Sequence, residues 1–131
     1  MAAAYKPIVL KTGLKPISQV EPPKSFELDE NGVPKNYKSV VTGLAKSYAT
    51  GSRTASGRPT KPGHIAVDPK QFPYGTKLYI VSEDGRYIYG YAIAADTGGF
   101  VKNNSCMVDL FMPSLSDCYQ WGARNVRIYV L

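Results

Sequence analysis

"AIAADTGGFV", residues 92–101, is the stretch on which the fold of this chain turns. A run of small apolar residues stops at an acid and two glycines. Such a run reads as a strand that delivers its carboxylate to the lip of a loop. Asp96-Thr97-Gly98 is also the tripeptide with which an aspartic protease holds a catalytic carboxylate. That enzyme needs two such loops sharing one proton, so a chain with a single copy must dimerise. It also needs a later apolar-glycine segment to brace the loop. Here a second glycine follows at once and no bracing segment comes after it, so the protease is set aside. What is left is a tight turn in a different barrel, with the acid free for sugar chemistry.

Outward from that loop the texture is one of short strands between turn residues. "GLAKSYAT" alternates apolar and polar, and "HIAVD" is a short strand ending in an acid. "KLYIVS" and "YIYGYAIAA" flank "EDGR", a hairpin turn with Asp84-Gly85 at its tip. "MVDLFM" follows the Gly-rich loop "DTGGFVKNNSC", and "RNVRIYVL" closes the chain with Val126, Ile128 and Val130 on one side. "PSLSDCYQWG" predicts the one helix. Ser114 is its N-cap, Asp117 completes a capping-box-like start, and Gly122 gives a left-handed stop. Leu115, Cys118 and Tyr119 are expected on the face toward the barrel. Six strands and one short helix make a small β-barrel over residues 40–131. Residues 1–39, rich in proline and charge, read as an extended arm clipped on by Phe26, Leu28 and Tyr37. Such an arm can exchange between protomers.

At 131 residues and 44% apolar the chain suits one domain with a real core. The net charge of +6 and a pI near 9.3 favour polyanions, among them nucleic acid, teichoic acid and the carboxylates of peptidoglycan. No Lys/Arg block, zinc-finger spacing or aromatic ribonucleoprotein motif points to nucleic acid, so none is expected. No apolar run reaches the ~18 residues of a membrane span. The start "MAAAYKPIVL" lacks the long apolar stretch and cleavage site of a secretory signal, and "MAAA" reads as an added start. His64 is the only histidine and no ligand cluster has metal spacing, so neither metal nor cofactor is expected. Cys106 and Cys118 either close a disulfide worth about 3 kcal/mol, as befits an extracellular protein, or remain two buried thiols.

Three aspartates sit beside apolar strand residues: Asp68 in "IAVDP", Asp96 in "AIAADTGG" and Asp109 in "MVDLF". Burying an ionised carboxylate is costly unless it is bonded or paired. Asp68 and Asp96 are each explained by capping a turn. Asp109 is not, because it lies in mid-strand between Val108 and Leu110. Cleaving a glycosidic bond near neutral pH needs a carboxyl group whose pKa is raised by an apolar setting or a neighbouring carboxylate. Asp109 has the setting, and Asp96 is the candidate neighbour.

Taken in order, "TASGRP", "GHIAVDP", "PYGTKLYI", "GYAIAADTGG", "VDLF" and "WGARNVRIYVL" resemble the three-aspartate domain of Gram-positive cell-wall proteins. The stationary-phase survival muralytic enzymes belong to that family, and the catalytic domain of membrane-bound lytic transglycosylase A is related to it. The match runs from about Thr42 to Leu131, and "FELDENGVPKNYKSVVTG" looks like the leader that precedes such domains in some Firmicutes proteins. The resemblance implies a six-stranded double-psi β-barrel. It implies a secreted or wall-associated lyase that cuts the β-1,4 bond between N-acetylmuramic acid and N-acetylglucosamine without water. Carried over by position, Asp109 is the acid/base, Asp96 the second acid and Asp68 the first, taken here as mainly structural. Tyr48 and Thr54 match positions near the substrate cleft, and Lys102 is placed to meet a lactyl or peptide carboxylate.

Trp121 is read as core rather than sugar platform, and Tyr87, Tyr89 and Tyr91 as a structural stripe along one strand face. The sequence departs from the family's "DTGGxIKGxRxD" in its loop "DTGGFVKNNSCMVD", two residues longer and without the second basic residue. The hairpin "VSEDGRYIYG" is longer too. A Cys106–Cys118 bond would pin the lengthened loop to the helix. The rival expectation is a non-catalytic wall-binding barrel of the expansin kind, since fold alone does not establish chemistry.

Overall fold

A computed structural model describes residues 7–131; the reading of Met1 to Ala4 as an added start lies outside them. The chain is mainly β. β1 spans Ser39–Tyr48, β2 His64–Ala66, β3 Lys77–Ser82, β4 Ile88–Asp96, β5 Val108–Phe111 and β6 Arg124–Val130. These six close into a barrel in the order β1-β5-β2-β4-β3-β6. Two neighbour pairs, β1 with β5 and β2 with β4, are parallel, and the rest are antiparallel. A double-psi crossover is compatible with this order. Closure leaves no strand edge open, which is how a small all-β domain keeps its ladder groups paired.

Alternation along the strands fills the interior. Ala45, Ile65, Leu78, Ile80, Ala92, Ala94, Val108, Leu110, Val126 and Ile128 point inward and are fully buried. The expected side of β6 is thus the one that packs. Tyr79, Val81 and Tyr129 face outward and form a second, smaller cluster. The arm covers it: Phe26 stacks on Tyr79 and Tyr91 at 5.4 and 5.2 Å, and Tyr37 meets Tyr129 at 5.3 Å. Backbone bonds from Lys11, Ile17 and Ser18 to Gly85, Ile88 and Tyr89 fasten the arm along the β3–β4 hairpin. Leu28, expected as a third clip, is 39% exposed and bridges to Pro34 across the Asn31-Gly32 turn.

Two helices are present where one was expected. α1, Phe100–Asn103, occupies the predicted Gly-rich loop, and α2 spans Leu115–Trp121. Phe100 is buried, and this apolar anchor is why the loop folds into a turn of helix. α2 begins and ends as its sequence predicts. Ser114 accepts from the Asp117 N–H at 3.2 Å, and the Gly122 N–H reaches the Cys118 carbonyl at 2.9 Å. Its packing face is different. Leu115 and Tyr119 are 58% and 78% exposed, while Trp121 and Cys118 pack on the barrel core. Trp121 also donates to the Ala45 carbonyl at 3.1 Å, so the large ring is buried without stranding its N–H.

The tyrosine stripe is broken as well. The β3–β4 register slips between Ile80 and Val81, so Tyr89 turns into the core while Tyr91 stays outside with Phe26. Gly90, at φ 103, supplies the left-handed step that lets this bulge form.

Candidate functional site

The pairing of three strands brings two of the aspartates into one row. Ala66 of β2 is the register partner of Asp109 on one side and of Asp96 on the other. With strands about 4.8 Å apart, the two acids sit on backbones about 10 Å apart. Val108, Leu110 and Met112 point into the barrel, so Asp109 and Phe111 face outward. Asp96 gets there by a different route. Ala92 and Ala94 point inward, and strict alternation would send Asp96 inward after them. The β2–β4 register shifts between Ile65 and Ala66, which makes Ala95 the extra residue and brings Asp96 alongside Ala66. A bulge re-aims a side chain in just this way.

The two carboxylates then meet different surroundings. Asp96 Oδ1 accepts from the backbone N–H groups of Ala55 and Thr97, both at 2.9 Å. Asp109 is partly buried, and its Oδ1 is sealed from solvent with no hydrogen-bond partner. Burial pushes the Asp109 carboxyl up to about 6, opposed by the charge of Lys46. Lys46 is its register partner on β1, exposed, and makes no ion pair with it among the described residues. Burial therefore sets the Asp109 pKa. The Asp96 charge, expected to tune it, is felt instead at Tyr48.

Tyr48 completes the group. It lies two residues beyond Lys46 and pairs with Phe111, so it shares the outward face with Asp109. Its ring stands edge-on to Phe111 at 5.2 Å. Burial, then Asp96, then Asp109 raise its phenol pKa, which keeps the hydroxyl protonated. Its Oη is buried and unpartnered.

Thr54 takes a supporting place. Nearly buried, it bonds the Arg58 carbonyl through Oγ1 at 2.8 Å and braces the loop that offers the Ala55 N–H to Asp96. Asp68 caps a turn: its Oδ1 accepts from the Lys70 N–H at 2.9 Å, and its carbonyl from Gln71 and Phe72. It lines a cavity of about 380 Å³ with Gln71, Phe100, Asn104, Ser105 and Cys106, adjacent to the Asp109 group and not part of it. Lys102 is exposed on α1 and forms no salt bridge with Asp96 or Asp109 among the described residues.

The cysteines are both free thiols, half-buried, the second of the two readings their spacing left open. Cys118 packs on the barrel core from α2, whereas Cys106 lies over β1. Burial and the Asp109 charge raise the Cys106 thiol, while the Lys46 backbone and Ser105 oppose the shift. Sequence patterning missed Lys46, Ala55 and Cys106 as neighbours of the acids. Lys46 lies in the alternating run with Tyr48, but its approach to Asp109 comes from a parallel pairing of distant strands. Among the described residues no cluster of three or more His, Cys, Asp or Glu has metal-holding geometry. No helix among them is long and apolar enough to cross a membrane.

Comparison with known proteins gives relatives of matching kind. Over 95 residues, 72% of this chain, it is 38% identical to the Bacillus subtilis "Putative cell wall shaping protein YabE", covering 21% of that protein. It is 46% identical over 67 residues to the "Cell wall-binding protein YocH" of the same organism, covering 51% of this chain and 21% of that one. A third, the "SPbeta prophage-derived uncharacterized protein YorM", is 42% identical over 64 residues and matched over 25% of its length. The chain thus spans about a quarter or less of each relative. The model of the 3D domain matches residues 63–131, which hold five of the six strands and the three candidate aspartates Asp68, Asp96 and Asp109. The chain belongs to the 3D domain family.

Proposed function

We propose that this barrel is a lytic transglycosylase of peptidoglycan, working outside the cell at the wall. The observation that carries the proposal is the state of Asp109: a solvent-sealed carboxyl oxygen without a partner, in a group pushed up to about 6. A carboxyl of this kind holds its proton at mildly acidic pH and gives it up to a leaving oxygen. Asp109 donates to O4 of the departing sugar as the bond from the anomeric carbon to O4 breaks. The C6 hydroxyl of the muramic ring attacks that carbon, and Asp109, now a carboxylate, takes the hydroxyl proton. The products are a free 4-hydroxyl and a 1,6-anhydro ring; no water enters, and the acid ends as it began. Asp96, held by two backbone N–H groups, stabilises the positive charge that builds at the anomeric carbon. Asp68 shapes the neighbouring turn.

A second possibility is a wall-gripping module that does not cut, which the name of the YocH relative favours. Incubating the protein with purified peptidoglycan and analysing soluble products by mass spectrometry separates the two. Anhydro-muropeptides from wild type and none from Asp109→Asn support the lyase. Co-sedimentation with wall material and no product supports the binder. Reducing-end muramic acid instead of the anhydro form points to a hydrolase using Asp96 and Asp109 as a pair.

A further inference from the structure

Two buried polar atoms without partners stand on one face of adjacent strands: the Tyr48 hydroxyl and Asp109 Oδ1. Buried polar groups are paired in the great majority of cases, and an orphan is costly, so each such atom calls for an explanation. Here the two explain each other. Tyr48 and Asp109 come from neighbouring strands, and the Lys46–Asp109 and Tyr48–Phe111 register pairs make them diagonal neighbours, a spacing that long side chains bridge. Tyr48 is not swinging free. It is fixed edge-on against Phe111, and its backbone carbonyl holds the Met112 N–H at 2.8 Å. They do not bond to one another, so both bonding directions are left for a third atom.

We infer that Tyr48 is a further catalytic residue, whose hydroxyl and the Asp109 carboxyl together seat one oxygen of the bound glycan. Resting on the lyase proposal, this names that oxygen as the bridging O4. A glycosidic oxygen has two lone pairs and no hydrogen, so it can accept from two donors and give to none, and this pair offers two. Asp109 supplies the proton that is transferred, and the phenol supplies a hydrogen bond that strengthens as O4 gains electron density. Burial first, and then the charge of Asp96, oppose ionisation of the phenol, which therefore stays a donor throughout. The two roles do not interchange. Tyr48 keeps its proton while Asp109 passes one and regains it.

Tyr48→Phe tests this, because it deletes the hydroxyl and leaves the ring packed on Phe111. The probe is a soluble peptidoglycan tetrasaccharide, added to protein labelled at tyrosine Cζ and aspartate Cγ and followed by carbon NMR. Tyr48→Phe and Asp109→Asn assign the two signals. The tetrasaccharide is expected to move both. Binding that leaves the Tyr48 signal in place, or no binding at millimolar concentration, overturns the inference. In kinetics, Tyr48→Phe is expected to lower kcat about 10- to 100-fold with KM within about twofold. An unchanged kcat in a wild type that makes anhydro product also overturns it. If both signals move and the wild type makes no anhydro product, the shared oxygen seat stands and the lyase proposal falls.

Discussion

Asp96 and Asp109 flank the same alanine, yet the fold treats them as opposites. Asp96 ends a strand at a loop, where two N–H groups accommodate its charge. Asp109 sits in mid-strand, where burial opposes its charge and one oxygen has no partner. One acid is bonded by backbone donors, and the other is held as a neutral acid by burial. Environments that differ in this way are how two chemically identical groups take separate roles in acid–base chemistry. The contrast also shows why counting aspartates is a weak guide. Asp68, the third, is a turn cap whose bonds are satisfied locally.

The contrast is broken most severely at Asp109. Asp109→Asn is expected to reduce anhydro-muropeptide release by about 10³-fold, read by mass spectrometry, because no other carboxyl occupies that position. Asp96→Asn keeps an oxygen for the Ala55 and Thr97 N–H groups and loses only the charge. A fall in kcat of about 10- to 100-fold is expected, with the pH limb assigned to Asp109 unmoved, since burial and not Asp96 sets it. A limb that shifts downward in Asp96→Asn would show the two carboxylates to be coupled.

Stability carries the same signature with a definite sign. The carboxyl of Asp109 rises from 3.8 to about 6 on folding, so the native state binds more protons than the unfolded chain in that window. The contribution is most favourable below about pH 4 and is lost as pH rises through about 6. Asp109→Asn removes the penalty. The variant is expected to match wild type near pH 4 and exceed it by about 2 kcal/mol at pH 7 in urea unfolding. Equal stability at both pH values would mean that the carboxyl is not held neutral by its setting.

Smaller effects sharpen the boundary of the site. Lys46 lowers the Asp109 pKa, so Lys46→Met is expected to move the alkaline limb of kcat/KM upward, with little loss at its optimum. Lys102, exposed on α1 and in no ion pair with either acid among the described residues, is expected to leave activity within about twofold when replaced by alanine. A larger loss would show that a carboxylate of the substrate reaches α1.

Much of this was legible in the residues themselves. Strand alternation located all six strands, the Asp84-Gly85 turn located the hairpin, and Ser114 and Gly122 bounded α2, because these signals depend on neighbours within a few positions. An acid between Val108 and Leu110 already marked Asp109 as the group without a local excuse. The errors arose where distant segments choose the outcome. Leu115 and Tyr119 were expected inward and stay exposed, while Cys118 and Trp121 pack on the core as expected. Tyr89 and Tyr91 separate because of a bulge. The spacing of Cys106 and Cys118 left a disulfide and two free thiols both open, and the fold has them free.

What the sequence determined by itself was a set of short strands, their buried faces and three acids among them, since period-two patterning and turn chemistry act over a few residues. What only the tertiary structure decided was which acids meet. The parallel β1–β5 pairing brings Tyr48 and Lys46 to Asp109, and one inserted residue at Ala95 carries Asp96 to the same face. Pairing partners and bulges are settled by closing the barrel around its core, and no local signal records that closure.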